Sequence, residues 1–147
     1  MNAFDTALLA GFAALLGLGF WRSRIRMRQI RRLAETTGFH YLNNALPRSL
    51  RNLPSGITSV WNVLDGEHRG RRVIAFDCRF GQGKGSWRRT VIAIQAERSS
   101  ITASAFDPEV EVEQIGEWTF LYRPRQLAFI TRQLTPVAEL AAYLDAI

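Results

Sequence analysis

The sequence predicts an α+β fold: an N-terminal transmembrane helix, an antiparallel sheet of about six strands, and an amphipathic C-terminal helix. Three observations carry this reading. Residues 7–21 read ALLAGFAALLGLGFW, without a charge. Between residues 58 and 123, runs of β-formers alternate apolar with polar and are separated by short glycine-bearing stretches. After Pro136, the residues Val137, Leu140, Ala141, Leu144 and Ile147 recur at helical spacing.

The N-terminal helix is justified by length and flanks. Ala3 to Trp21 spans 19 residues, interrupted only by Asp5. At 1.5 Å per residue it is about 28 Å long, close to a hydrocarbon core of about 30 Å. Trp21, Arg22, Arg24, Arg26, Arg28, Arg31 and Arg32 follow as a membrane-interface cluster containing no acid. A tryptophan beside arginines marks a membrane boundary, and the positive-inside rule puts the N-terminus outside and the rest of the chain in the cytoplasm. The expected location is the cell inner membrane, single-pass. A cleaved signal carries its positive charge before the apolar stretch, the reverse of the order here. Three glycines and an apolar surface all round make a poor soluble helix. Small residues four apart, Ala7/Gly11 and Ala13/Gly17, would allow self-association through this helix, although alanine and glycine are frequent enough there for chance to produce the spacing. The expected organisation is an anchor over 1–21, a basic juxtamembrane helix over 22–38 and a cytoplasmic α+β domain over 39–147.

Charge excludes one class of partner. The net charge of +6 invites a nucleic-acid reading, but the six juxtamembrane arginines supply all of it. The 13 basic and 12 acidic side chains after residue 32 nearly cancel, whereas a nucleic-acid-binding domain carries its charge on its own surface. The arginines have two readings, a topology signal and a grip on anionic headgroups, each residue worth about 1 kcal/mol near such a surface. One cysteine, Cys78, leaves no internal disulfide and fits a reducing compartment.

Along the soluble part, the helix is expected to run to about Thr37 and stop at Gly38. Phe39–Leu42 forms a short extended piece, and residues 43–56 form a connection with one helical turn near Ser49–Asn52. Strands are expected over Thr58–Leu64, Arg72–Phe80 and Arg89–Ala96, joined through Asp65–Gly70 and Gly81–Trp87. A weaker strand covers Ile101–Phe106, and a hairpin pairs Val110–Gln114 with Trp118–Arg123. Pro124 and Pro136 open two helical segments, with Thr135 as an N-cap for the second. This order suits a pleckstrin-homology-like or other half-open antiparallel sheet capped by a helix, an analogy that carries no function.

Candidate chemistry is sparse. Residues 81–86, GQGKGS, lack the GxxxxGK[ST] pattern and precede a strand, so a hairpin loop is expected in place of a phosphate loop. The sharper alternative is a binding loop carrying Lys84, Trp87, Arg88 and Arg89. His40 and His68 lack metal-ligand spacing, and Cys78 falls on an apolar strand face. Asp107, Glu109, Glu111, Glu113 and Glu117 read as a solvated acidic edge. Asp77, alone in an apolar strand, is expected to pair across the sheet with Arg79, Arg88 or Arg89. No catalytic, cofactor or metal set is expected.

The runs NVLDGEHRGRRVIAFDCRF (residues 62–80), AFDPE (105–109) and WTFLYRP (118–124) resemble a family of uncharacterised bacterial proteins. Its members join an N-terminal membrane segment to a β-rich domain with an "NVL-G…V-x-x-FD" core. The resemblance covers roughly residue 33 onward; Cys78 stands where members often carry an aromatic. It implies the architecture and no activity. The expected function is therefore a membrane-anchored, non-catalytic cytoplasmic domain that binds a partner protein or the membrane surface. The alternatives are an accessory subunit of a membrane complex, or an enzyme acting on lipid or envelope intermediates.

Overall fold

The computed structural model describes residues 3–97, 110–122 and 134–146. Helix α1 (Ala3–Thr37) leads into β1 (His40–Asn43), β2 (Ile57–His68), β3 (Arg71–Phe80) and β4 (Trp87–Gln95). β5 (Glu111–Ile115), β6 (Trp118–Tyr122) and α2 (Val137–Ala146) follow. The strands form one antiparallel sheet in the order β1-β2-β3-β4-β6-β5. The chain is α+β, as the alternation pattern and the two apolar helices predict. The expected strand at 101–106 and the helix after Pro124 lie outside the described residues.

α1 ends where glycine permits a left-handed residue. Gly38 has φ +73, and the Phe39 N–H donates to the Ala34 carbonyl at 2.9 Å, which closes a Schellman cap. The cap turns Phe39 down onto the sheet, and β1 starts at the next residue. The connection between β2 and β3 is shorter than expected. β2 continues through Asp65 and Gly66 to His68, and the turn is Arg69-Gly70, both with positive φ, as a two-residue primed turn requires. Asp65-Gly66 reads as a turn by composition, but Gly66 is a strand residue paired with Val73, and the Phe39 ring lies where its side chain would be. The helical turn expected near Ser49–Asn52 is absent. A single turn closes there, Leu50 N–H donating to Pro47 O at 3.0 Å, and Leu50 drops into the core.

The sheet buries both faces. One face, with Leu64, Val73, Ala75, Ile92, Ile94 and Leu121, is covered by Ile30, Leu33 and Ala34 of α1 and by Leu140 and Leu144 of α2. The opposite face carries Val63, Ile74, Phe76, Cys78, Val91 and Phe120, with Leu42, Leu46, Leu50 and Leu53 packed against it. The second half of α1 is thus a core element of the domain. Its first half has the opposite character: Leu8, Leu9, Phe12, Leu15 and Leu16 are 58–69% exposed. That helix is long and apolar enough to cross a membrane, and none of the described residues covers its apolar span.

Candidate functional site

The sheet and the long helix meet at a buried polar centre. β2 carries a bulge in which Asn62 and Val63 lie opposite Phe76, between the pairs Trp61–Asp77 and Leu64–Ala75. Asn62 adopts φ +53 there, a conformation asparagine tolerates better than most residues. The bulge aims its amide at Asp77, with Nδ2 donating to Oδ2 at 2.9 Å. Arg26 approaches from α1, with Nε donating to Oδ2 and Nη2 to Oδ1, each at 2.7 Å. The Thr90 hydroxyl of β4 donates to Oδ1 at 2.8 Å.

Donor counting explains how a carboxylate survives here. The Asp77 side chain is 0% exposed and Arg26 only 15%. A carboxylate offers about four acceptor sites, and two guanidinium donors, one amide and one hydroxyl fill them. Thr90 is equally complete: its oxygen also accepts from Arg26 Nη2 at 2.9 Å and from the Thr135 N–H at 3.0 Å. Arg26 Nη1 donates to the Thr135 carbonyl at 2.9 Å, and Asn62 Oδ1 accepts from the Tyr41 hydroxyl at 3.1 Å. One centre therefore ties together α1, β1, β2, β3, β4 and the chain entering α2. A buried carboxylate with every acceptor site used is fitted for holding elements together, and no acceptor is left for a substrate proton.

The expected partners of Asp77 are corrected by this geometry. Arg79 and Arg88 share its face but lie two residues further along their strands and are exposed. Arg89 points to the opposite face. Its guanidinium lies over Phe80 (4.8 Å), Tyr122 (5.1 Å) and Trp87 (5.4 Å), and Glu111 Oε2 is 3.8 Å away. Phe80 and Trp87 stack across the β3–β4 pair at 6.0 Å. The Arg26 contact, 51 residues away in sequence, carries no local signal; only the helical phase of Arg26 with Ile30, Leu33 and Ala34 hints at it.

The other singled-out residues separate. Arg22, Arg24, Arg28, Arg31 and Arg32 remain exposed, as does Trp21. Arg24 lies over Phe20 at 4.8 Å and Arg31 over Tyr41 at 5.0 Å. Lys84 belongs to a 3-10 turn, Gly83–Gly85, in the β3–β4 loop, while Trp87, Arg88 and Arg89 open β4. Within the acidic stretch, Glu113 accepts from the Tyr122 hydroxyl at 2.7 Å. Cys78 is fully buried, and that burial pushes its thiol pKa well above the ordinary value.

Two open depressions lie among the described residues at the sheet end and beside α1. An open cleft of about 630 Å³ lies at the far end of the sheet, lined by His40, Asp65, Glu67, Arg72 and Gln95 with three glycines. Asp65 is tied there to Arg72 at 2.8 Å. A groove of about 310 Å³ separates α1 from α2, lined by Arg22, Ile25, Arg26, Gln29 and Val137. His68 pairs with Arg71, six residues along β3 from Asp77, so these two titratable groups are about 20 Å apart along the strand. No group of three metal-ligating side chains occurs among the described residues. No family model, curated protein or solved structure matches this chain.

Proposed function

We propose that the chain is a membrane-tethered, non-catalytic module. Its N-terminal helix spans the inner membrane with the N-terminus outside, and its sheet domain sits in the cytoplasm, where it binds a partner protein or the membrane surface. The observation that carries this reading is the dual nature of α1. The helix is apolar and uncovered over 7–21, then enters the core of the domain through Ile30, Leu33, Ala34 and the Arg26–Asp77 pair. An exposed apolar surface of that extent calls for a cover, and a bilayer is one that matches its length. The arginines behind it favour the cytoplasmic side.

The test is protease access to a C-terminal tag in spheroplasts, on membranes washed with alkaline carbonate. The reading predicts a tag that stays in the pellet and resists digestion until lysis. Release by the wash, or digestion in intact spheroplasts, contradicts it. A second reading, an accessory subunit that binds through its transmembrane helix, draws on Gly11 and Gly17. Both are open to close approach, with nothing within 4 Å of an added Cβ. Replacing residues 3–21 with an unrelated apolar span separates the two. Partner recovery is retained if the domain binds and lost if the helix does.

A further inference from the structure

The direction in which α1 leaves the domain fixes which end of the sheet faces the bilayer. The C-terminal end of α1 is pinned at one end of the sheet, where Phe39 lies over Gly66, the partner of Val73. Arg26 is pinned further along β3, at Asp77. From Thr37 back to Arg26 the helix advances about 16 Å. From Val73 to Asp77 the strand advances about 13 Å. The two distances agree, so the helix runs roughly along β3. Continuing in the same direction, Trp21 lies about 7.5 Å beyond Arg26, and Arg79 lies about 7 Å beyond Asp77. The sheet end that holds Arg79, Arg88 and the loop 81–86 is therefore level with the Trp21–Arg22 boundary. The cleft lined by His40, Asp65 and Glu67 points away from it.

Two arginines face each other at that end. Arg79 and Arg88 are direct cross-strand partners, both exposed, on the face shared with Asp77. Like charges placed opposite each other on adjacent strands destabilise a sheet. Arg88 lies over the Trp61 ring at 5.8 Å, and no carboxylate among the described residues forms an ion pair with Arg79. Arg22 lines the adjoining α1–α2 groove, and Lys84 lies in the loop between the two strands. Guanidinium groups gathered at this level match the phosphates of anionic lipids in charge and in paired donor geometry.

We infer that Arg79 and Arg88 are a second membrane contact, binding anionic lipid phosphates and docking the β3–β4 end of the sheet against the bilayer. The inference rests on the tethered reading above and adds an orientation to it. The domain does not swing on its anchor, and the polar cleft at the opposite end is presented to the cytoplasm.

The test uses the full chain in bilayers containing phosphatidylglycerol, with spin labels at Gln82→Cys, Glu67→Cys and Leu15→Cys. Cys78 is buried, and the unsubstituted chain serves as the labelling blank. The expected result is a Leu15→Cys label in the hydrocarbon, a Gln82→Cys label at headgroup depth and a Glu67→Cys label in water. Replacing both arginines with serine should lower the docked-to-undocked ratio roughly thirtyfold, at the usual strength of a basic residue near an anionic surface. Bilayers of phosphatidylcholine alone, or high salt on the unsubstituted arginines, should release the tip in the same way without a substitution. A Leu15→Cys label in the hydrocarbon with Gln82→Cys as water-exposed as Glu67→Cys would overturn the docking and leave the tether standing. A tip at headgroup depth that ignores both the arginines and lipid charge would overturn the role of Arg79 and Arg88. A Leu15→Cys label outside the bilayer would overturn the tether itself.

Discussion

Asp77 is the residue on which the packing of the domain turns. Its carboxylate is fully buried and uses two guanidinium donors, an amide and a hydroxyl. Removing one member of such a pair leaves an uncompensated polar or charged group, at a cost of about 3–5 kcal/mol. Arg26→Met and Asp77→Leu should each lose that much in denaturant unfolding of the detergent-solubilised chain. The double substitution should lose clearly less than their sum, because neither partner is then stranded. Additive losses would mean that the two side chains do not act together. Cys78 gives a prediction in pH. Burial raises its pKa above the unfolded value of 9.0, so the folded state keeps a proton that the unfolded state sheds. The stability contributed by Cys78 is complete below about pH 9 and falls as pH rises above it, by about 1.4 kcal/mol per unit. Cys78→Ala should flatten the slope just above pH 9, and an unchanged slope would assign it elsewhere. Tyr122, raised by burial and by Glu113, adds a further decline above its ordinary value of 10.0.

At the scale of elements, the parts specified locally were legible and those specified by distant contacts were not. Ile74, Phe76, Cys78 and Phe80 alternate in sequence and do share one buried face. Gly38 ends α1 as its position predicts, since a left-handed residue must follow that helix. Gly66 misleads, because Asp-Gly is a turn signal by composition and here is strand. Its lack of a side chain serves the Phe39 ring, which no short-range pattern announces. A Cβ at residue 66 would collide with the Cδ1 and Cγ atoms of that ring. Gly66→Ala should therefore destabilise by about 1–3 kcal/mol, read from the shift in unfolding midpoint. Phe39→Leu in the same chain should recover part of the loss; no recovery would place the strain elsewhere. Composition alone groups Arg26 with the membrane-interface arginines, whereas the structure pairs it with Asp77. Its selection by Asp77 depends on helical phase and on a β2 bulge that local propensity does not encode.

At the scale of the whole molecule, α1 is one body from the apolar span to the domain core. The helix is unbroken from Ala3 to Thr37, and its contacts with the domain begin at the Arg26–Asp77 pair, about 7.5 Å from Trp21. A rigid connection of that length leaves little room for a hinge, so the domain takes its orientation from the anchor. The sequence placed a boundary at residue 22 because composition changes there, from apolar to arginine-rich. The backbone passes through that change without a break, since alanine, leucine and arginine are all good helix formers. Amide hydrogen exchange along α1, measured on the full chain in bilayers, tests this most directly. Continuous protection is expected from residue 8 to residue 34, with protection over 25–34 lost selectively in Asp77→Leu. A fast-exchanging break between residues 20 and 28 in the unsubstituted chain would contradict it, and would make anchor and domain two separately moving bodies.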